Sequence, residues 1–164
     1  LSMPFAGKSD VTIISAFPYS EGTQVMKPLA PATEITREGG TVILACDYTV
    51  PLAESYVAGC EAFRTAHAGR IRPAVLEAFG QQQRILPDGA PEFNMSVAQA
   101  LLGQHDFNII VVSREMPRTT AERLGFAFAA TIEEAIRMAR ERHPVARVHV
   151  VPSGGVILPV VAAA

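Results

Sequence analysis

Gln24 and Lys27 combine residue types and spacing that could recognise a small anion. They follow Glu21-Gly22-Thr23 and stand three apart, so on a helix they project from one side. An ammonium and a neutral amide near a helix N-terminus suit a carboxylate, through charge and through directed hydrogen bonds. Gln and Lys are also common on solvent-facing helix surfaces, so spacing alone leaves an ordinary surface role open. The other reactive residue types are scattered. Cys46 and Cys60 lie far outside C-x-x-C spacing, and His67, His105, His143 and His149 form no i, i+4 pair, so no metal site is predicted. His105 ends an apolar helix stripe and His149 alternates within a strand, which reads as packing or surface. No serine stands in G-x-S-x-G. Ser153-Gly154-Gly155 could offer amides to an anion or simply turn the chain. Gly39-Gly40 precedes a strand and opens no helix, so it is no phosphate loop. Tyr48, Tyr56 and Phe63 could line a pocket, although their spacing suits packing. The chain holds no complete catalytic constellation, and no catalytic residue is assigned to it.

The composition narrows the partners. The 164 residues carry 14 basic and 16 acidic side chains, a net charge of -2, with 49% apolar and 18% charged residues. That length and hydrophobicity support one core-forming domain, predicted to occupy residues 1–164. A near-neutral charge argues against a nucleic-acid partner. No apolar run approaches the roughly 20 residues that cross a bilayer, and the sequence shows no basic-then-apolar signal-peptide pattern, so no membrane partner is expected. Two cysteines fit a reducing compartment, which makes a cytoplasmic location the expectation. The first residue is Leu1, and the chain reads as a domain of a longer protein.

The elements that must position these residues alternate. Residues 11–16 read as a buried strand feeding a loop at Phe17-Pro18. A short helix ends near Pro28, and a second starts near Pro31 and runs to Arg37. Glu38-Gly39-Gly40 stops it before a strand at 41–45. Two helical pieces cover 53–66 and about 70–79, and a long loop covers 81–92. Asn94 caps a helix with Val97, Ala98, Leu101, Leu102 and His105 along one stripe. Residues 108–112 form a uniformly apolar strand. Thr119 with Glu122, and Thr131 with Glu134, read as two capping boxes, with a possible short strand at 126–128 between their helices. Strands at 147–151 and 156–160 close the chain across a four-residue link. Such alternation predicts an α/β domain, a mostly parallel sheet with helices on both faces in a Rossmann-like three-layer arrangement. The short final link makes the last two strands antiparallel or bent apart. Ligands in such a sheet bind beyond the carboxyl ends of the strands, here the loops 17–23, 46–51, 113–118 and 152–155.

The ordered set of segments resembles the C-terminal domain of the nickel-dependent lactate racemase family (LarA-like). The resemblance rests on Asp10-Val-Thr-Ile-Ile-Ser15, Thr23-Gln-Val-Met-Lys27 and Glu34-Ile-Thr-Arg-Glu-Gly-Gly-Thr-Val-Ile-Leu-Ala45. It continues through Phe93-Asn-Met-Ser-Val-Ala-Gln-Ala-Leu-Leu102 and Thr131-Ile-Glu-Glu-Ala-Ile136 to Val148-His-Val-Val-Pro152. It runs from about Asp10 to Val160, and no single motif in it is highly specific. It implies a racemase or epimerase of 2-hydroxy acids that uses a nickel-pincer nucleotide. An N-terminal catalytic domain of the same polypeptide would hold that cofactor, with the nickel-ligating and acid/base histidines, and none is expected on this chain alone. Gln24 and Lys27 match the family's Gln-x-x-Lys pair, and Phe93 stands where the family usually has tryptophan. These three are the implied substrate-binding residues. The first loop, Ala16-Phe-Pro-Tyr-Ser-Glu-Gly22, departs from the family's Asn-Gly-Gly-Tyr-Pro type, and Thr23 stands where lactate racemases tend to have tyrosine. The loop 46–51 lacks the usual acidic-glycine pattern. These departures leave the substrate open to a 2-hydroxy acid other than lactate, including a larger one. A non-catalytic ligand-binding or regulatory module using the same strand-end cleft is the alternative reading.

Overall fold

A computed structural model describes residues 1–162; residues 163 and 164 of the expected domain lie outside the described residues. Its strands are β1 (Ser2–Phe5), β2 (Ser9–Ser15), β3 (Thr36–Ala45), β4 (Asn108–Val112), β5 (Ala127–Ala129), β6 (Val148–Val151) and β7 (Leu158–Val161). Its helices are α1 (Leu29–Ile35), α2 (Glu54–Ala66), α3 (Ile71–Gly80), α4 (Pro91–Asp106), α5 (Arg118–Leu124) and α6 (Ile132–Arg142), and a 3-10 turn covers Gly22–Met26. Five strands form one sheet in the order β5-β4-β3-β2-β6, parallel at every pairing. The apolar runs of β3 and β4 fill its centre, where both faces are covered.

The two faces are covered unequally. Ile14, Val42, Leu44, Ile109 and Val111 face a large core that also takes in side chains of α1 to α5. Val11, Ile43 and Ile110 face a smaller one with Ala135 and Ala139 of α6. Val148 and Val150, on the edge strand β6, remain 49% and 52% exposed.

The final strands correct the sequence expectation. β6 and β7 are not antiparallel partners. β6 pairs with β2 in the main sheet, and β7 pairs in parallel with β1 in a separate two-stranded sheet. The link turns the chain out of the main sheet, and β1, which the sequence left without an element, takes β7 as its neighbour. That link is held tightly. Gly154 N donates to Ser15 O at 2.9 Å and Gly155 N to Phe17 O at 3.0 Å.

Three helix boundaries also differ from expectation. The helix expected to reach Arg37 ends at Ile35, and β3 begins at once. Thr36 Oγ1 donates to the Ala32 carbonyl and lies 2.6 Å from Thr12 Oγ1, so a buried hydroxyl takes up one of the helix's last acceptors and ties it to β2. Gly39-Gly40 therefore stops no helix. Gly39 has φ +72°, and a Cβ on Gly40 would stand 2.8 Å from Asp10 O. Both sit where the β2–β3 register shifts. Asn94 is not a cap either. Proline suits a first turn, and α4 starts at Pro91. Asn94 Oδ1 instead accepts from Leu86 N, and its Nδ2 donates to the carbonyls of Leu86, Gly89 and Ala90, pinning the long loop to α4. Thr119 lies inside α5, whose cap position is Pro117. Thr131 does cap α6, accepting from Glu134 N.

Two outcomes follow from this framework. A Cβ at Gly154 would lie 2.7 Å from Ser15 O and strike the Ile14 side chain. Gly154→Ala should therefore destabilise the fold by about 1–3 kcal/mol in urea unfolding. Asp10 accepts from Arg37 Nε and from Arg147 N, joining β2 to β3 and to the start of β6, and these donors hold its carboxyl below the usual range. A lowered folded pKa adds stability above the ordinary carboxylate pKa of 3.8 that disappears as pH falls through the folded value. Asp10→Asn should flatten that acid limb in a series of thermal melts.

Candidate functional site

The open strand-end cleft, about 670 Å3, lies over the carboxyl ends of β2, β3, β4 and β5. Ser20, Cys46, Asp47, Ser113, Arg114 and Thr131 are among its lining residues. The crevice between β2 and β6, where the strand order reverses, is the other place a ligand could enter. The Ser153-Gly154-Gly155 turn closes it, and two of its amides are already bonded to β2 and its loop. A Cβ on Gly155 would lie 2.8 Å from the Tyr19 ring, so this glycine lets the loop pack directly on Tyr19. The turn thus shapes the neighbouring loop and does not present its amides to an anion.

Tyr19 in turn supports Lys27. The Lys27 ammonium stands 4.9 Å from the Tyr19 ring centre and donates to Gln24 Oε1 at 3.0 Å. An ammonium has no acceptor, so the amide must turn its oxygen toward it. The Gln24 NH2 is then left facing outward beside the charge. Both side chains are exposed and present donors, which fits an incoming carboxylate. They stand on the 3-10 turn and its C-terminal cap, and not on a regular α-helix, but the spacing still sets them side by side.

Phe93 reaches the same neighbourhood from α4. With Gln24 it lines a second, shallower cleft of about 330 Å3, beside the Tyr19–Gly22 loop. Tyr56 of α2 meets the Phe93 ring edge-on, with centres 6.2 Å apart at 89°. Tyr56 Oη lies 2.8 Å from Ser96 Oγ, which is 3.5 Å from the Thr23 carbonyl. The contact joins α2, α4 and the 3-10 turn; Gln24 and Phe93 line one cleft there, while Lys27 is bonded to Gln24 and is not part of that lining. Sequence reasoning left Tyr56 as packing and missed Tyr19, Ser96 and Val50. A tyrosine eight residues before a lysine, in a loop, carries no periodic signal, and a serine inside a helix gives none of its partner.

The remaining candidates do different work. Tyr48 is buried and accepts from Leu52 N, and Phe63 packs against His67. His143 is buried beside Thr41 Oγ1 at 3.0 Å, and His149 is buried under the Phe5 ring. Burial pushes the Cys46 and Cys60 thiols up to about 12, so neither is a thiolate nucleophile near neutral pH. Among the described residues no group of three or more His, Cys, Asp or Glu could hold a metal ion. Among the described residues no helix is long and apolar enough to cross a membrane.

Neither a protein-family model nor a curated protein matches the chain. Solved structures do. The lactate racemase apoprotein from Thermoanaerobacterium thermosaccharolyticum is similar over 94% of this chain and 36% of its own, with TM-score 0.74 and 14% identity. The fold is LarA-like. A Thermotoga maritima protein solved by a structural genomics consortium is similar over 98% of this chain and 39% of its own, with TM-score 0.54 and 11% identity. The chain thus spans little more than a third of the length of either structure.

The Tyr56–Ser96 contact carries a stability outcome. Burial pushes the Tyr56 phenol well above its usual range, so the group is a neutral hydroxyl that needs a partner. Ser96→Ala should cost about 1–3 kcal/mol by leaving that hydroxyl unpaired, whereas Ser96→Ala with Tyr56→Phe should cost less than Ser96→Ala alone. Chemical denaturation of the single and double variants measures both.

Proposed function

We propose that this chain is the C-terminal domain of a LarA-like racemase or epimerase of 2-hydroxy acids, closing over an active site borne mainly by an N-terminal domain. The observation that carries the reading is the Lys27–Gln24 donor pair beside Phe93 on a LarA-like fold. Inversion at C2 requires that carbon to become flat and be attacked from either side while the rest of the acid stays fixed. Lys27 holds the carboxylate by charge, the Gln24 amide donates to an oxygen, and Phe93 walls the reacting end from water. These roles position a substrate and supply no proton acceptor, so the acid/base residues belong to the other domain.

The family's nickel-pincer nucleotide belongs to that domain too. This chain does not fit a nickel site, because its described residues offer no cluster of ligands and its two thiols are held neutral by burial. A cytoplasmic setting with a small 2-hydroxy acid as the partner completes the reading. That Lys27, Gln24 and Phe93 supply no base also suits a non-catalytic ligand-binding module, and the same experiment separates the two.

That experiment follows optical purity for a panel of chiral 2-hydroxy acids with the full-length, cofactor-loaded protein. Inversion of at least one acid is expected, and inversion of none would sink the racemase reading. Lys27→Ala should lower kcat/KM about 10- to 100-fold, the worth of one charge-assisted hydrogen bond, with an unchanged circular dichroism spectrum. Lys27→Arg should recover part of the loss.

A further inference from the structure

Resting on that carboxylate-binding reading, we infer that the preferred acid is a monocarboxylate whose C2 substituent is apolar and larger than methyl. The second cleft opens directly beside Gln24, so an acid held by Lys27 and Gln24 projects its substituent there. Its far wall consists of Val50, Leu52, Tyr56 and Phe93. The cleft, about 330 Å3, has room for more than a methyl group.

The wall is fixed in place. Gly22 N donates to Val50 O and Thr49 N to Ser20 O, both at 2.9 Å, so the loop after β3 is bonded to the loop that carries Gln24. Tyr48 Oη accepts from Leu52 N at 2.5 Å and holds the next residue down. Val50 lines the cleft and is 49% exposed. The hydrogen-bonded loops keep that apolar surface in water until something apolar covers it.

Charge excludes the main competitors. The described lining of this cleft carries no lysine, arginine or histidine, and its one charged residue is Glu21. A second carboxylate on the substrate would meet that acid without a counter-ion. A polyhydroxylated acid would find few partners, since the Tyr56 hydroxyl is already paired with Ser96.

The test titrates the 15N-labelled 164-residue chain with lactate, 2-hydroxy-4-methylpentanoate, malate and 4-methylpentanoate, following backbone amides by NMR. Each methylene buried is worth roughly fourfold in affinity, and this cleft is open on one side, so 2-hydroxy-4-methylpentanoate should bind about tenfold tighter than lactate. Malate should bind more weakly than lactate. Shifts should centre on Gln24, Val50 and Phe93. Val50→Ser should cut the preference for 2-hydroxy-4-methylpentanoate over lactate to about threefold. Equal affinity for lactate, tightest binding of malate, or no binding of any acid would overturn the inference. If 4-methylpentanoate binds as tightly as its 2-hydroxy form, the apolar wall stands and the 2-hydroxy acid reading falls.

Discussion

An exposed ammonium bonded to an exposed amide oxygen is the interaction on which the proposed carboxylate site depends. Lys27 and Gln24 would each sample many rotamers alone, and a carboxylate would have to order both. Their mutual bond, with the Tyr19 ring beneath the charge, narrows that freedom before any ligand arrives. The amide is turned so that both groups offer hydrogens in one direction. Remove the bond and the amide is free to flip, presenting an oxygen that would repel the anion. The glycine turn after β6, the loop of Tyr19 and the 3-10 turn all exist upstream of that geometry, and each is tied to the next by backbone hydrogen bonds.

Much of the scaffold could be read from residue order because it follows from burial. Apolar runs at β3 and β4 can only be central strands of a covered parallel sheet, and the proline and glycine spacing separates α2 from α3 and marks the loop before α4. What escaped was decided by partners distant in sequence. Nothing local says that Thr36 will satisfy the end of α1 from within β3, or that Asn94 will reach back to Leu86. The direction of β7 depended on β1, at the other end of the chain. At the candidate site, Gln24 and Lys27 were visible as a spaced pair and Phe93 through a resemblance. Tyr19, Tyr56, Ser96 and Val50 became legible only in three dimensions, since each contributes through what it touches.

The sheet's uneven cover separates two tasks. α1 to α5 press on one face, and nearly every residue near the candidate site descends from that layer or from the loops above it. α6 alone lies on the other face, over β3, β4 and β5. Sequence divergence on the α6 side can therefore proceed without moving Phe93 or the 3-10 turn, because the intervening sheet is rigid and close-packed.

The clasp between β1 and β7 has a mechanical meaning. The two strands run parallel, with Ser2 opposite Leu158 and Phe5 opposite Val161, so the chain enters at one end of the pair and leaves at the other. Tension applied between the two ends of this pair would load all the ladder's bonds together, in shear, instead of peeling them off singly, so the clasp would resist as one stiff unit before either strand gave way.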